Sequence, residues 1–132
     1  MSYEDVVEGL VERLETVAAL KLVLPYTPTA IHDWPMCYIY FNRAQYVTSS
    51  VSTTRYFPTI RLVIGWQDWE GAEQQTNPFV DDIPAAVHAD QQLGGRLTSG
   101  LAQITEAEGG WAAIGGIEYR IVDFQVNVKR NL

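Results

Sequence analysis

Cysteine is nearly absent from this chain, and basic clusters, long apolar runs and any glycine-rich loop followed by lysine are missing. Each absence excludes a class of function. Cys37 has no second thiol, so neither an intrachain disulfide nor a thiolate metal cage is available. Between Met36 and Tyr38 it reads as a small buried hydrophobe. The best apolar stretch, Val17 to Tyr26, is interrupted by Lys21 and falls short of the roughly 18 residues that a membrane helix needs. Sixteen Asp and Glu against nine Lys and Arg leave a net charge of −7, which repels a phosphate backbone. The Tyr and Trp residues therefore lack the basic groove that a base-stacking platform needs, and read as core and interface aromatics. The start MSYEDVVEGLVERLE has neither the basic opening nor the apolar stretch of a secretory signal, and its acidity argues against a transit peptide. The expected location is the cytoplasm or something assembled there.

What remains is 132 residues, 47% of them hydrophobic, enough for one domain with a real core. There is no internal repeat and no linker. Ser2 followed by Asp5 resembles a capping box, with Asp where Glu or Gln is usual, so a helix is predicted from Tyr3 to about Val17 or Ala18. Val6, Val7, Leu10, Leu14 and Val17 form its apolar stripe. KLVLPY reads as a short strand stopped by Pro25, followed by a proline-punctuated loop. Met36 to Phe41 suits a strand covered on both faces. Ile60, Leu62, Ile64 and Trp66 alternate with Arg61, Val63 and Gly65, which predicts a half-buried strand and then an acidic loop, QDWEGAEQQT. Leu101 to Ala107 reads as a strand, and the glycine pairs 109/110 and 115/116 bracket WAAI as a turn or short strand. In IEYRIVDFQVNVKR the apolar positions change parity, from Ile117, Tyr119 and Ile121 to Phe124, Val126 and Val128. A β-bulge between Ile121 and Asp123 would account for that.

NPFVDDIPAAVHADQQLGG is the one stretch with the ingredients of a metal or acid/base site. Asn77 before Pro78 predicts a helix start, and Gly94 with Gly95 its stop. At 100° per residue Phe79, Ile83, Ala86 and Val87 share the buried face, while Asp81 and His88 point to the opposite side, Asp82 to an edge and Asp90 inward. Helix geometry then brings at most two ligands together, too few for zinc, and an exposed His–Asp pair lacks the burial that tunes a catalytic base. His32 and Asp33, in the proline-flanked loop, read as a turn. No catalytic residue, metal or cofactor is expected.

Residues 43 to 57, RAQYVTSSVSTTRYF, are rich in β-branched and small polar residues but present no continuous apolar row on either pleat face. Such a segment is strand-competent without a core of its own, and its unpaired backbone is suited to adding to another chain's sheet. It is predicted to be an extended hairpin arm, mobile in a lone subunit and ordered against a neighbour, with Tyr46, Val47, Val51, Arg55 and Tyr56 as contacts and Trp69 as a further candidate. The fold class expected is a single α+β domain over 1–132, a mostly antiparallel or mixed sheet with two helices packed on it and this arm.

Three passages in this order, ETVAALKLVLPYTPTAIHDWPMCYIYF, NPFVDDIPAAVHADQQLGG and GGIEYRIVDFQVNVKR, resemble the tail terminator, or tail-completion, proteins of long-tailed bacteriophages. The resemblance implies a hexameric ring in the virion neck, assembled in the host bacterial cytoplasm. Such a ring caps the tail tube, ends its polymerisation and joins it to a head-side connector. Its partners would be copies of itself, the major tail tube protein and the connector, with genomic DNA passing through the lumen without sequence-specific binding. The alternatives are another neck or head-completion protein, or, from a different class, an enzyme or small-ligand module presenting Trp66, Trp69 and Trp111 to a sugar or an apolar ligand.

Overall fold

Serine at position 2 opens the first element as expected: its hydroxyl accepts from the Asp5 amide and the Asp5 carboxylate accepts from the Ser2 amide, a complete capping box. The computed structural model describes residues 2–48, 52–65, 69–97 and 100–131, with backbone alone at 47–48, 52–53, 69 and 130–131. Those residues form helix α1 (Tyr3–Leu14), strands β1 (Leu22–Leu24), β2 (Met36–Thr48) and β3 (Ser52–Gly65), helix α2 (Trp69–His88) and strands β4 (Ala102–Ile114) and β5 (Ile117–Asn131). The sheet order is β1-β2-β3-β5-β4, parallel at β1/β2 and antiparallel elsewhere. This is the α+β architecture expected: a mixed sheet with two helices packed on one face.

Parity along β5 explains the core. Val122, Phe124, Val126 and Val128 face the helices, where they join Val6, Leu10, Leu14, Ile60, Leu62, Phe79, Ile83 and Val87 in the larger cluster. Tyr119 and Ile121 face the other way and join Met36, Tyr38, Val63, Ile114 and Ile31 in a second cluster, with Leu24 and Trp34 packed against it. The expected bulge between Ile121 and Asp123 is absent: Ile121, Val122 and Asp123 pair in unbroken register with Val63, Leu62 and Arg61 on β3. The change of parity arises because each end of the strand is covered on a different face. The same cover corrects the half-buried reading of residues 60–65, since Val63 is fully buried on the face opposite Leu62.

Proline 58 lies inside β3, a central strand, rather than at the end of the arm. It has no N–H to give β2, and there the β2/β3 register shifts between Tyr40 and Arg43, two residues opposing the one proline. The arm is thus the far end of two long strands: Arg43–Thr48 pairs with Ser52–Phe57. Its second strand is also held from the other side, Thr53–Tyr56 against Val128–Asn131. The base of the arm is therefore three-stranded, not a free hairpin.

Four element boundaries differ from expectation for local reasons. Helix α1 stops at Leu14, with the Thr16 hydroxyl donating to the Arg13 carbonyl. Helix α2 begins at Trp69 rather than Asn77, so the acidic stretch is helical through Thr76. Ala72, Thr76, Phe79, Ile83 and Val87 make one buried stripe. Burying Phe79, Ile83 and Val87 at about 1.5–3 kcal/mol each, on one stripe with the buried Ala72 and Thr76, offsets the roughly 3 kcal/mol that each of Pro78 and Pro84 costs inside a helix, and the helix continues through both. It ends at His88, ahead of the glycine pair. Strand β4 runs without interruption through Gly109 and Gly110, where a Cβ on Gly109 would lie 2.8 Å from the Arg120 guanidinium; the turn is at Gly115 and Gly116, both with positive φ.

Tyr3 joins α1 to the arm. Its ring stands 5.5 Å from those of Phe41 and Tyr56, and its hydroxyl is buried with no hydrogen-bond partner. Burial raises its pKa to about 12, above the unfolded value of about 10. The stability tied to the neutral phenol is complete below pH ~10 and lost as pH rises through ~12. Tyr3→Phe should therefore leave stability at pH 8 unchanged or raised, and flatten its decline between pH 10 and 12. Urea unfolding across that range checks this; a decline as steep as wild type would contradict it.

Candidate functional site

The acidic helix divides its polar groups among separate duties. Asp81 and Asp82 are exposed, and His88 Nε2 accepts from the Ile104 amide at 3.0 Å, tying the helix end to β4. Asp90 Oδ2 accepts from the Gly94 amide at 2.9 Å. Among the described residues no three His, Cys, Asp or Glu groups stand close enough to hold a metal. His32 and Asp33 are exposed in their loop. Cys37 is fully buried and its pKa is raised by that burial, so its thiol is held protonated.

The structure instead assembles a polar ladder that sequence reasoning missed, on the sheet face away from the helices. Register places Tyr38, Arg61, Asp123 and Glu108 side by side on neighbouring strands, and Tyr40, Thr59, Gln125 and Glu106 in the next row. Arg61 Nε and Nη2 donate to the two Asp123 oxygens at 2.7 and 2.9 Å, while Nη1 donates to the Tyr38 hydroxyl at 3.2 Å. Its guanidinium also lies 5.3 Å from the Tyr40 ring centroid. The hydrogen bond to Asp123 raises the Arg61 pKa, and burial raises that of Tyr38. Thr59 donates to Gln125 Oε1 at 3.1 Å, with Asn42 Nδ2 at 3.4 Å from the same oxygen. Further toward the arm, Arg43 stacks on Phe57, 4.2 Å from the ring centroid. A fork occupied on both sides leaves little to grip an anionic ligand, and the ladder contains no nucleophile beside a base. Its chemistry is that of a cross-strand clamp, invisible in sequence because it depends on register between residues up to 83 apart.

The residues expected to meet a partner separate. Tyr46 is 70% exposed on the helix-bearing side of the arm; Arg55, opposite Gln45, is half-buried on the other side. Tyr56 is only 8% exposed and belongs to the core beside Tyr3, so as a free contact it is corrected: its partner is α1. Val47 lies in β2 and Trp69 begins α2, both described by backbone alone, while Val51 lies outside the described residues. Of the tryptophan set for a ligand, Trp66 also lies outside them, and Trp111 packs against Arg120, its cross-strand neighbour, at 5.9 Å. Exposed large hydrophobics gather elsewhere: Leu22, Tyr26, Phe41 and Tyr46 along the β1/β2 side, Leu101 and Ile117 along the β4 side. Phe41, hidden from the sequence pattern by its apolar neighbours, is 58% exposed beside the Tyr3 ring. No helix among the described residues is long and apolar enough to cross a membrane. No family model matches the chain, and no curated protein matches it significantly by sequence.

The clamp can be measured. Asp123→Ala should lower the unfolding free energy by about 1–3 kcal/mol, because Arg61 is left partly buried with neutral partners only. Adding Arg61→Met should recover part of the loss. Urea unfolding of the four chains gives the coupling, and a zero coupling would remove the pair as an organiser of the sheet.

Proposed function

We propose that the chain is a structural subunit of a long-tailed bacteriophage, a tail terminator that closes into a ring of six at the end of the tail tube and joins it to the head-side connector. The observation that carries this reading is a division of the surface. The polar groups of the sheet and of α2 engage one another as structural fasteners, while large exposed hydrophobics collect at the two sides of the sheet, where another chain would sit. Such a protein works by shape and association and needs no reactive group. The acidic net charge of −7 suits a passage through which DNA slides without sticking. The three passages that resemble the terminator family support the same reading.

Charge also governs when the ring forms. Six copies at −7 each carry a formal −42, so self-repulsion opposes assembly at low salt and is screened as ionic strength rises. Native mass and sedimentation between about 0.05 and 0.5 M salt should show monomer giving way to a closed hexamer, seen in electron micrographs as a ring with a central opening. A monomer or a stable dimer throughout would overturn the proposal.

A further inference from the structure

We infer that the outer edge of β2 in one copy pairs antiparallel with the outer edge of β4 in the next, so that one continuous sheet passes from subunit to subunit. The inference deepens the ring reading and rests on it for the number of copies, not for the contact itself.

Both edges are open in the single chain. β1 covers β2 only at Met36–Tyr38, leaving Tyr40–Thr48 without an outer neighbour; the end of α2 holds the start of β4 from outside, where Ala102 N donates to the Gln91 carbonyl and Ile104 N to His88 Nε2, and Glu106–Ile114 is paired on its inner side alone. Long edges with unpaired N–H and C=O groups invite another strand. Six of the seven large hydrophobics exposed among the described residues flank these two edges, Val80 on α2 being the other.

Strand direction permits the join. Successive antiparallel pairs from β2 through β3 and β5 to β4 leave β4 running opposite to β2. A second copy placed beside the first in the same orientation therefore presents β4 antiparallel to β2, with the helices of both copies on one side of the sheet. That contact is heterologous and propagates around an axis until it closes.

Charge then selects this join over its rivals. Arg43 lies on the open polar face with no carboxylate in salt-bridge range among the described residues. Glu106 and Glu108 are exposed on that same face of β4, and Glu108 stands opposite Asp123, whose charge Arg61 already occupies. Like charges opposite one another destabilise a sheet. A cation from a neighbour's β2 relieves that, whereas a two-fold β4/β4 contact centred on Ala107 would set Glu106 of each copy against Glu108 of the other. Setting Arg43 against Glu106 staggers the copies along the strands, as a closed sheet requires.

Two sets of charge swaps test the join: Arg43→Glu in one chain, and Glu106→Arg with Glu108→Arg in another. All three positions are exposed, and matching thermal unfolding would establish that each variant folds. By sedimentation each variant alone should associate at least about tenfold more weakly than wild type. Mixing the two variants should restore assembly, because each then offers the other a complementary edge, and the triple variant should assemble by itself. A ring of six that persists unchanged in every variant would overturn the edge pairing and leave the ring reading standing. Swap-sensitive assembly with a different copy number would uphold the pairing and overturn the hexamer, and a wild-type chain monomeric at all salts would overturn both.

Discussion

The ladder between β3 and β5 is the constraint on which the rest of the molecule depends. At adjacent positions, Ile121 and Val122 are both buried, on opposite faces of the sheet, against Val63 and Leu62. A strand covered on one face at its start and on the other along its remainder needs two covers. The helices supply one, and the segment carrying Ile31 and Trp34 supplies the other. Beyond Asp123 the second cover stops and the face turns polar, which is where the Arg61–Asp123 clamp and the Thr59–Gln125 pair lie. The open ladder, the protruding arm and the free edges all follow from where that cover ends.

This arrangement gives the polar residues structural rather than reactive surroundings. Each group that might have looked catalytic in isolation is engaged by a neighbour that fixes geometry: His88 by the Ile104 amide, Asp90 by the Gly94 amide, Asp123 by Arg61. The long strands meanwhile leave backbone and aromatic surface at the sides of the sheet. Edges of this kind are templates for another strand, and the proposed ring is one way to fill them.

Legibility in the sequence followed the range of each interaction. The Ser2–Asp5 capping box, the strand stopped by Pro25 and the buried stripe Phe79, Ile83 and Val87 are set by residues within about a turn or two of each other, and all could be read directly. Asn77–Pro78 is an equally local signal and misled, because the stripe extends back to Ala72 and burial outweighs one missing hydrogen bond. The Gly109–Gly110 pair looked like a turn because nothing nearby reveals that Arg120 lies over it. The parity change in β5 was visible but its cause was not, since it depends on a loop some ninety residues earlier in the chain. Of the surface expected to meet a partner, Tyr46 is exposed as anticipated. Tyr56 was lost to Tyr3, a contact no strand pattern announces.

Hydrogen exchange followed amide by amide, on free and assembled protein, addresses the central claim most directly. If subunits join through their sheet edges, outward-facing amides of residues 40–48 and 106–114 exchange quickly in the free chain and become protected on assembly, while those of β3 and β5 between 54 and 65 and between 119 and 129 are protected in both. Assembly that leaves the two edges exchanging as before, and shields the outer faces of the helices instead, would contradict the account.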